Sequence, residues 1–204
     1  PGIFIDYSRR AMVDIPLTFF VTFSLFAFLK TKTNKRWYLA FGLATAGGIL
    51  SKSVLGIFPL AIVFLYLLLN RQWKELVNPF LALGTILAIC LGFSWHWINW
   101  LEFEQLFLDV HFGALFFGGD CGNSDFRCNF SGYLKDFLEY YWPWLPFALI
   151  GLYKFGKSGF IEKDENSLFI FLWATLVFVI LSTSNNQTIR YLFMVFPALS
   201  IIVA

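Results

Sequence analysis

The chain has 204 residues, 58% of them hydrophobic and only 14% charged, with a net charge of +2 and a mean hydropathy of +0.68. Soluble domains are about one-quarter charged, so this composition excludes a soluble enzyme and a basic nucleic-acid-binding module. It leaves a membrane protein, and the length suits one domain of several spanning helices.

Apolar segments bounded by polar residues recur in order at 11–29, 37–50, 54–69, 77–96, 137–155, 167–181 and 190–204. A helical span takes about 20 residues, with about 17–25 usual. The second and third segments are shorter than that, and the three-residue turn Ser51-Lys52-Ser53 between them predicts a pair that is shielded by neighbouring helices or that ends below the membrane surface. "GLATAGGIL" places small residues at close spacing, as tight helix packing requires. The expected fold is therefore all-α: a polytopic transmembrane helical bundle, one membrane domain over 1–204. Pro1 in place of Met, and an end inside an apolar stretch at Ala204, lead us to expect an internal fragment.

If all seven segments cross, one side holds the loops 30–36, 70–76 and 154–166. These carry nine of the fifteen basic residues and four of the thirteen acidic ones. Cytoplasmic loops carry the excess of Lys and Arg, and "KTKTNKR" has four positive charges and no negative one. This places it in the cytoplasm and puts the opening segment and the long loop 97–136 on the other side.

That loop contains "NWLEFEQLFLDVHF", with Glu102, Gln105 and Asp109 at helical spacing among Trp100, Leu101, Phe103, Phe107 and Leu108. The pattern predicts an amphipathic helix lying in the membrane interface. Trp95, Trp97 and Trp100 before it, and Trp142 and Trp144 after it, suit an aromatic belt at headgroup depth. Cys121 and Cys128 follow, spaced to close a small disulfide loop in an oxidising compartment or to stand as two free thiols.

Ionisable groups at membrane depth are costly and usually face a cavity, a partner or a pathway. Arg9, Arg10, Asp14, Lys52, His111 and Arg190 all fall at or just outside helix ends on the extracytoplasmic side. Each has two readings. Arg10 and Asp14, four apart, either pair on one helical face or help hold an anionic group together with Arg9. Lys52 either snorkels or contacts a phosphate as a compact cation. His111 is an interface residue or a ligand, and His96, fifteen residues away, is too distant in sequence to complete a metal site by spacing. Arg190 is a headgroup anchor or part of the same anionic pocket. No Gly-rich phosphate loop and no nucleophile elbow occurs.

An ordered set of motifs carries a resemblance: "SRRAMVDIPLTFF", "LAFGLATAGGILSKSVLGIFPLAI", "SWHWINW", "LFLDVHFGALFF", "YYWPWLPFALIGL" and "STSNNQTIRYLFMVFPALSIIVA". The chain resembles the C-type polytopic membrane glycosyltransferases related to protein O-mannosyltransferases and to the aminoarabinose transferases of lipid A. The resemblance implies an enzyme that takes a sugar from a polyprenyl-phosphate donor and passes it to a lipid or protein acceptor outside the cytoplasm. It implies a bacterial inner membrane with the active side outward. It assigns Arg9, Arg10, Asp14, Lys52 and Arg190 to a donor-phosphate pocket and His111 to a divalent metal ion. The family's general-base aspartate is expected upstream of Pro1, so the fragment is expected to be inactive alone. The chain departs from the family's pattern at Ser53, where a glycine follows the lysine, at Ala114, where an arginine is frequent, and at Gln187 and Thr188. The alternative from another class is a transporter or flippase of lipid-linked glycans. Transporters, however, place ionisable groups near the bilayer midplane.

Overall fold

A computed structural model describes residues 2–10, 12–116, 126–182 and 189–204. All the regular structure among them is helical, as the composition requires: apolar residues run through every segment and each backbone group must be satisfied internally in lipid. The chain divides into two compact units, Ser8–Trp95 and Pro1–Tyr7 with His96–Ala204.

The first unit is built from α2 (Asp14–Lys30), α3 (Trp37–Lys52), a 3₁₀ segment (Ser53–Ile57), α4 (Phe58–Leu69), the short α5 (Trp73–Leu76) and α6 (Pro79–Gly92). Leu17, Val21 and Leu25 of α2, with Phe41 and Ile49 of α3 and Ile62 of α4, are buried. Large apolar side chains such as Phe19, Leu43 and Phe64 lie on the outside instead. A surface this apolar suits lipid rather than water. Polar groups are used sparingly between helices. Ser24 and Thr45 share a hydrogen bond of 2.7 Å between α2 and α3, with both residues buried. Small-residue packing joins α3 to α6. A Cβ on Gly42 would meet the Gly84 carbonyl oxygen at 2.1 Å, and one on Gly84 would meet the Tyr38 carbonyl oxygen at 2.3 Å. Backbones approach this closely only where the interface residues are small.

By length and composition, Trp37–Leu69 (33 residues) and Glu165–Ser182 (18 residues) are helical runs able to cross a membrane; Pro79–Gly92 with Ser94–His111 qualifies as a bent pair. The 33-residue run is not one straight helix. Ser53 has φ 52° and ψ −129°, the conformation of the first central position in a type II′ turn. The chain folds back there. A Cβ on Gly56 would lie 2.1 Å from the Ile49 nitrogen, and the rings of Tyr38 and Tyr66, at opposite ends of the run, both pack on Phe28 at 6.2 and 5.7 Å. Segments 37–50 and 54–69 thus form a helical hairpin.

At the end of this unit away from Ser53, Glu75 of α5 ties the helices together. It accepts hydrogen bonds from Lys35 Nζ at 2.5 Å, Tyr38 OH at 2.9 Å and Asn78 Nδ2 at 3.3 Å. Asn78 in turn caps α6 by accepting from the Phe80 N–H at 3.0 Å. Burial alone would raise the Glu75 carboxyl; the bonds from Lys35 and Tyr38 outweigh it and hold the group below its ordinary value. A carboxylate held low stabilises the fold above its unfolded-state pKa of about 4.3 and loses that contribution as pH falls through the lower folded value. Thermal unfolding in detergent should therefore show an acid-side loss of stability that Glu75→Gln removes. An identical pH profile for the variant would show that the clamp contributes nothing.

The second unit comprises α1 (Gly2–Ser8, of which Ser8 falls in the first unit), most of α7 (Ser94–Phe116), α8 (Phe126–Tyr140), α9 (Leu145–Phe160), α10 (Glu165–Ser182), a 3₁₀ segment (Ile189–Val195) and α11 (Phe196–Val203). Helices α9 and α10 meet through glycines: a Cβ on Gly159 would meet the Leu168 Cα at 2.7 Å, and one on Gly151 would meet the Ile202 side chain of α11 at 2.4 Å. Trp173 Nε1 donates to the Met194 carbonyl at 2.9 Å, fixing α10 to the second 3₁₀ segment. The apolar segment 137–155 is divided: α8 ends at Tyr140 and α9 begins at Leu145. Pro143 and Pro146 account for the break, since proline lacks an N–H and its predecessor is pushed out of the helical region.

The stretch 99–112 lies within α7, as the amphipathic pattern anticipates, and residues 101–106 are exposed. The helix is broken at Glu104, with φ 45° and ψ −123°. This is the same conformation as at Ser53. In an unbroken helix residues 96 and 111 would stand about 22 Å apart. Here their ring centres are 5.1 Å apart, so α7 also reverses.

Candidate functional site

The strongest charge constellation in the first unit joins the ends of α2 and α3. Asp14 opens α2 and Lys52 closes α3. Lys52 Nζ donates to Asp14 Oδ1, and the Asp14 side chain is 1% exposed while that of Lys52 is 20% exposed. Each charge sits at the helix terminus whose dipole favours it: the carboxylate at an N-terminus and the ammonium at a C-terminus. The Thr18 hydroxyl donates to the Asp14 carbonyl at 2.8 Å and tightens the first turn of α2. Ion pairs this buried are costly to desolvate, and removing one partner costs about 3–5 kcal/mol. Pairs of this kind more often serve position than stability.

Spacing suggests Arg10 as the partner of Asp14, on one helical face. The structure gives Asp14 the partner Lys52. Arg9 and Arg10 lie outside helices, between the end of α1 at Ser8 and the start of α2 at Asp14, so the i, i+4 face does not form. Both arginines are exposed.

In the second unit Arg190 is half-buried at the start of a 3₁₀ segment, its guanidinium 5.9 Å from the centre of the Tyr7 ring, a cation–π distance. Tyr7 also packs edge-on against Phe193 at 5.7 Å. His111 stacks on Phe107, one helical turn earlier, at 5.1 Å and 13°. Its other neighbour is His96, at 5.1 Å and 75°. His96 is the residue that spacing alone does not connect to the site, because the reversal at Glu104 is what brings it to His111. The described residues contain no cluster of three or more His, Cys, Asp or Glu positioned for a metal. Cys121 lies outside the described residues; the backbone of Cys128 belongs to α8, and its side chain lies outside the description, so the pairing of these two cysteines falls outside it too. Cys90 is an exposed free thiol on α6.

The contacts lie within the units: Asp14 with Lys52 in the first, and in the second Arg190 with Tyr7 and, separately, His96 with His111. An ammonium held at a helix end by a carboxylate suits a transferable anion such as a phosphate group.

Residues 2–98 match the family described as dolichyl-phosphate-mannose-protein mannosyltransferase. The matched stretch includes the whole Asp14–Lys52 constellation and His96. Two curated proteins are similar over nearly the full chain. One is an uncharacterised protein of Aquifex aeolicus, 28% identical over 206 residues, covering 99% of this chain and 40% of its own length. The other is the undecaprenyl phosphate-alpha-4-amino-4-deoxy-L-arabinose arabinosyl transferase 1 of Proteus mirabilis, 26% identical over 214 residues, covering 95% of this chain and 35% of its own. The chain therefore spans well under half the length of these relatives. No solved structure matches it significantly. The resemblance read from the motifs holds: the chain is similar to membrane glycosyltransferases of the mannosyltransferase and aminoarabinose-transferase kind, and its apolar helices are those of an integral membrane protein.

The backbone at Ser53 is itself unusual: φ 52° is where glycine is favoured and a side chain is strained by about 1–3 kcal/mol. The turn conformation itself, rather than the side chain of residue 53, is what sets Lys52 against Asp14.

Proposed function

We propose that the chain is part of a membrane glycosyltransferase that takes a sugar from a polyprenyl-phosphate donor and passes it to a lipid or protein acceptor on the extracytoplasmic side of a bacterial inner membrane. The observation that carries this reading is the Lys52–Asp14 pair, built across two helix ends within the stretch that matches the mannosyltransferase family. The names of the family and of the Proteus mirabilis relative both pair a sugar with a polyprenyl phosphate.

The chemistry is displacement at the anomeric carbon. The acceptor oxygen forms a bond to that carbon, the carbon–oxygen bond to the phosphate breaks, and the polyprenyl phosphate leaves with the electron pair. A carboxylate takes or orients the acceptor proton, and we assign that role to an aspartate outside this chain. Lys52, with Arg9 and Arg10 of the same unit, supplies positive charge where the leaving phosphate gains negative charge. Asp14 holds the Lys52 ammonium at the end of α3 and keeps it from turning into solvent. The basic loop 30–36 belongs to the cytoplasmic side in this reading.

The test is transfer by the full-length protein from a radiolabelled polyprenyl-phosphate sugar in detergent, with and without Lys52→Ala. Covalent transfer that depends on Lys52 supports the reading. Movement of the lipid-linked sugar across proteoliposomes without covalent transfer would replace it with a transporter.

A further inference from the structure

We propose that the basic end of the first unit binds an anionic phospholipid, with the headgroup phosphate on loops 30–36 and 70–76 and one acyl chain in the apolar groove between α4 and α6. Binding of this lipid stands apart from the transferase reading, which supplies only the name of the leaflet, the cytoplasmic one.

Loops 30–36 and 70–76 hold six basic residues and one acidic residue. The acidic one, Glu75, is engaged by Lys35, Tyr38 and Asn78. Its ion pair with Lys35 joins positions 40 apart in sequence and ties the two loops into one surface. The other five cations, Lys30, Lys32, Arg36, Arg71 and Lys74, are exposed, and neither loop has a second carboxylate to offset them. Clusters of about 4–8 Lys and Arg beside a membrane helix attract anionic lipid. Loop 154–166 makes the contrast: its three basic residues are matched by three acidic ones, so it projects no comparable field.

The backbone adds a second observation. Arg71 has φ 54°, at the helix-ending position usually given to glycine. The N–H groups of Arg71 and Gln72 donate to the carbonyls of Leu68 at 3.1 Å and Leu67 at 2.9 Å, so α4 closes in a Schellman motif with an arginine held there despite backbone strain. Trp73 and Val77, which follow, are exposed, and tryptophan favours headgroup depth. Leu76, two residues after Lys74, lines an apolar groove of about 660 Å³ with Phe64 and Leu67 of α4 and Ile86 of α6; Thr85 is the one polar side chain in its lining. Cations this close to an apolar groove fit an amphiphile with a negative head and a hydrocarbon chain. A soluble acidic protein would match the charge but not the groove.

The experiment uses purified, delipidated full-length protein in detergent, with bound lipid counted by native mass spectrometry. Phosphatidylglycerol and phosphatidylcholine with identical acyl chains are titrated in turn, and phosphatidylglycerol is expected to bind at least tenfold more tightly. Joint replacement by Arg36→Gln, Arg71→Gln and Lys74→Gln should erase that preference, since each cation near an anionic lipid is worth about fivefold. Arg36→Lys with Arg71→Lys keeps the charge and should keep the preference. Ala82→Phe fills the groove from α6 without altering a charge, and should weaken phosphatidylglycerol binding at least threefold. Lys154→Gln with Lys157→Gln, in the balanced loop, should leave the preference unchanged. Equal affinity of the wild-type protein for the two lipids would overturn the proposal. So would a preference that survives the triple replacement or falls as far with the Lys154 and Lys157 pair, and so would undiminished binding in Ala82→Phe. Displacement of phosphatidylglycerol by poly-L-glutamate at equal charge would assign the surface to an acidic protein instead. The comparison of the two lipids needs no variant, so a poorly folding substitution leaves the test intact.

Discussion

Lys52→Ala in the full-length protein should lower transfer from a polyprenyl-phosphate sugar at least a hundredfold. Removing one preorganised charge-stabilising group from a transition state costs about 10²–10³ in rate, and Lys52 is the cation whose position the fold specifies most tightly. It ends α3, is held by a carboxylate that is 1% exposed, and is followed by a strained reversal at φ 52°. A second effect accompanies the first. Truncation leaves Asp14 buried without its ammonium, at a cost of about 3–5 kcal/mol, so loss of activity could arise from loss of fold. The double variant Asp14→Asn, Lys52→Ala separates the two. It removes the orphaned charge along with its partner and should recover most of the melting temperature while transfer stays low. Lys52→Arg keeps the charge but replaces a compact ammonium with a planar fork, and should retain the fold with reduced transfer. Recovery of both stability and transfer in the double variant would show that Lys52 serves only to neutralise Asp14.

The pairing behind that prediction is only half visible in the sequence. Composition and segment lengths already specify an all-α membrane chain, and the run of glycines and alanines before Lys52 already signals tight packing. The structure realises this as Gly42 against Gly84. The turn at Ser51-Lys52-Ser53 is legible as a short connection between two apolar segments. What spacing cannot supply is the tertiary partner of Asp14, because local periodicity offers Arg10 four residues away and says nothing of a lysine 38 residues on. The two reversals are hidden for a related reason. Left-handed φ is ordinarily signalled by glycine, yet here it falls on Ser53 and Glu104. Around Glu104 the helical pattern continues on both sides, so the break leaves no trace in periodicity, and His96 stays unconnected to His111 until the chain is folded. The prolines at 143 and 146 show a different case: the backbone constraint is written in the sequence, yet the run 137–155 reads as one segment because its apolar character continues across the break.

Gly56→Ala should be among the most disruptive single substitutions in the first unit, although it adds one methyl group. A Cβ there would meet the Ile49 nitrogen at 2.1 Å and the Gly48 carbonyl carbon at 2.2 Å. Both are backbone atoms of α3, so no side-chain rotation relieves the clash. Overpacking ordinarily costs about 1–3 kcal/mol, and contacts this short against helical backbone place Gly56→Ala at or above the upper end. The 3₁₀ segment would have to lift from α3, which shifts the turn that seats Lys52 on Asp14. The expected result is a lower melting temperature in detergent together with weaker transfer. Ser53→Gly, three residues away, should be tolerated, since glycine accepts φ 52° without strain. The contrast tests the hairpin directly. A straight helix over Trp37–Leu69 would be about 50 Å long, well beyond a hydrocarbon core of about 30 Å. In that arrangement Gly56 would face ordinary helical neighbours, and alanine would be the better helix former by about 1 kcal/mol. Stabilisation by Gly56→Ala would therefore indicate the straight helix and remove Lys52 from Asp14; destabilisation indicates the reversal on which the phosphate site depends.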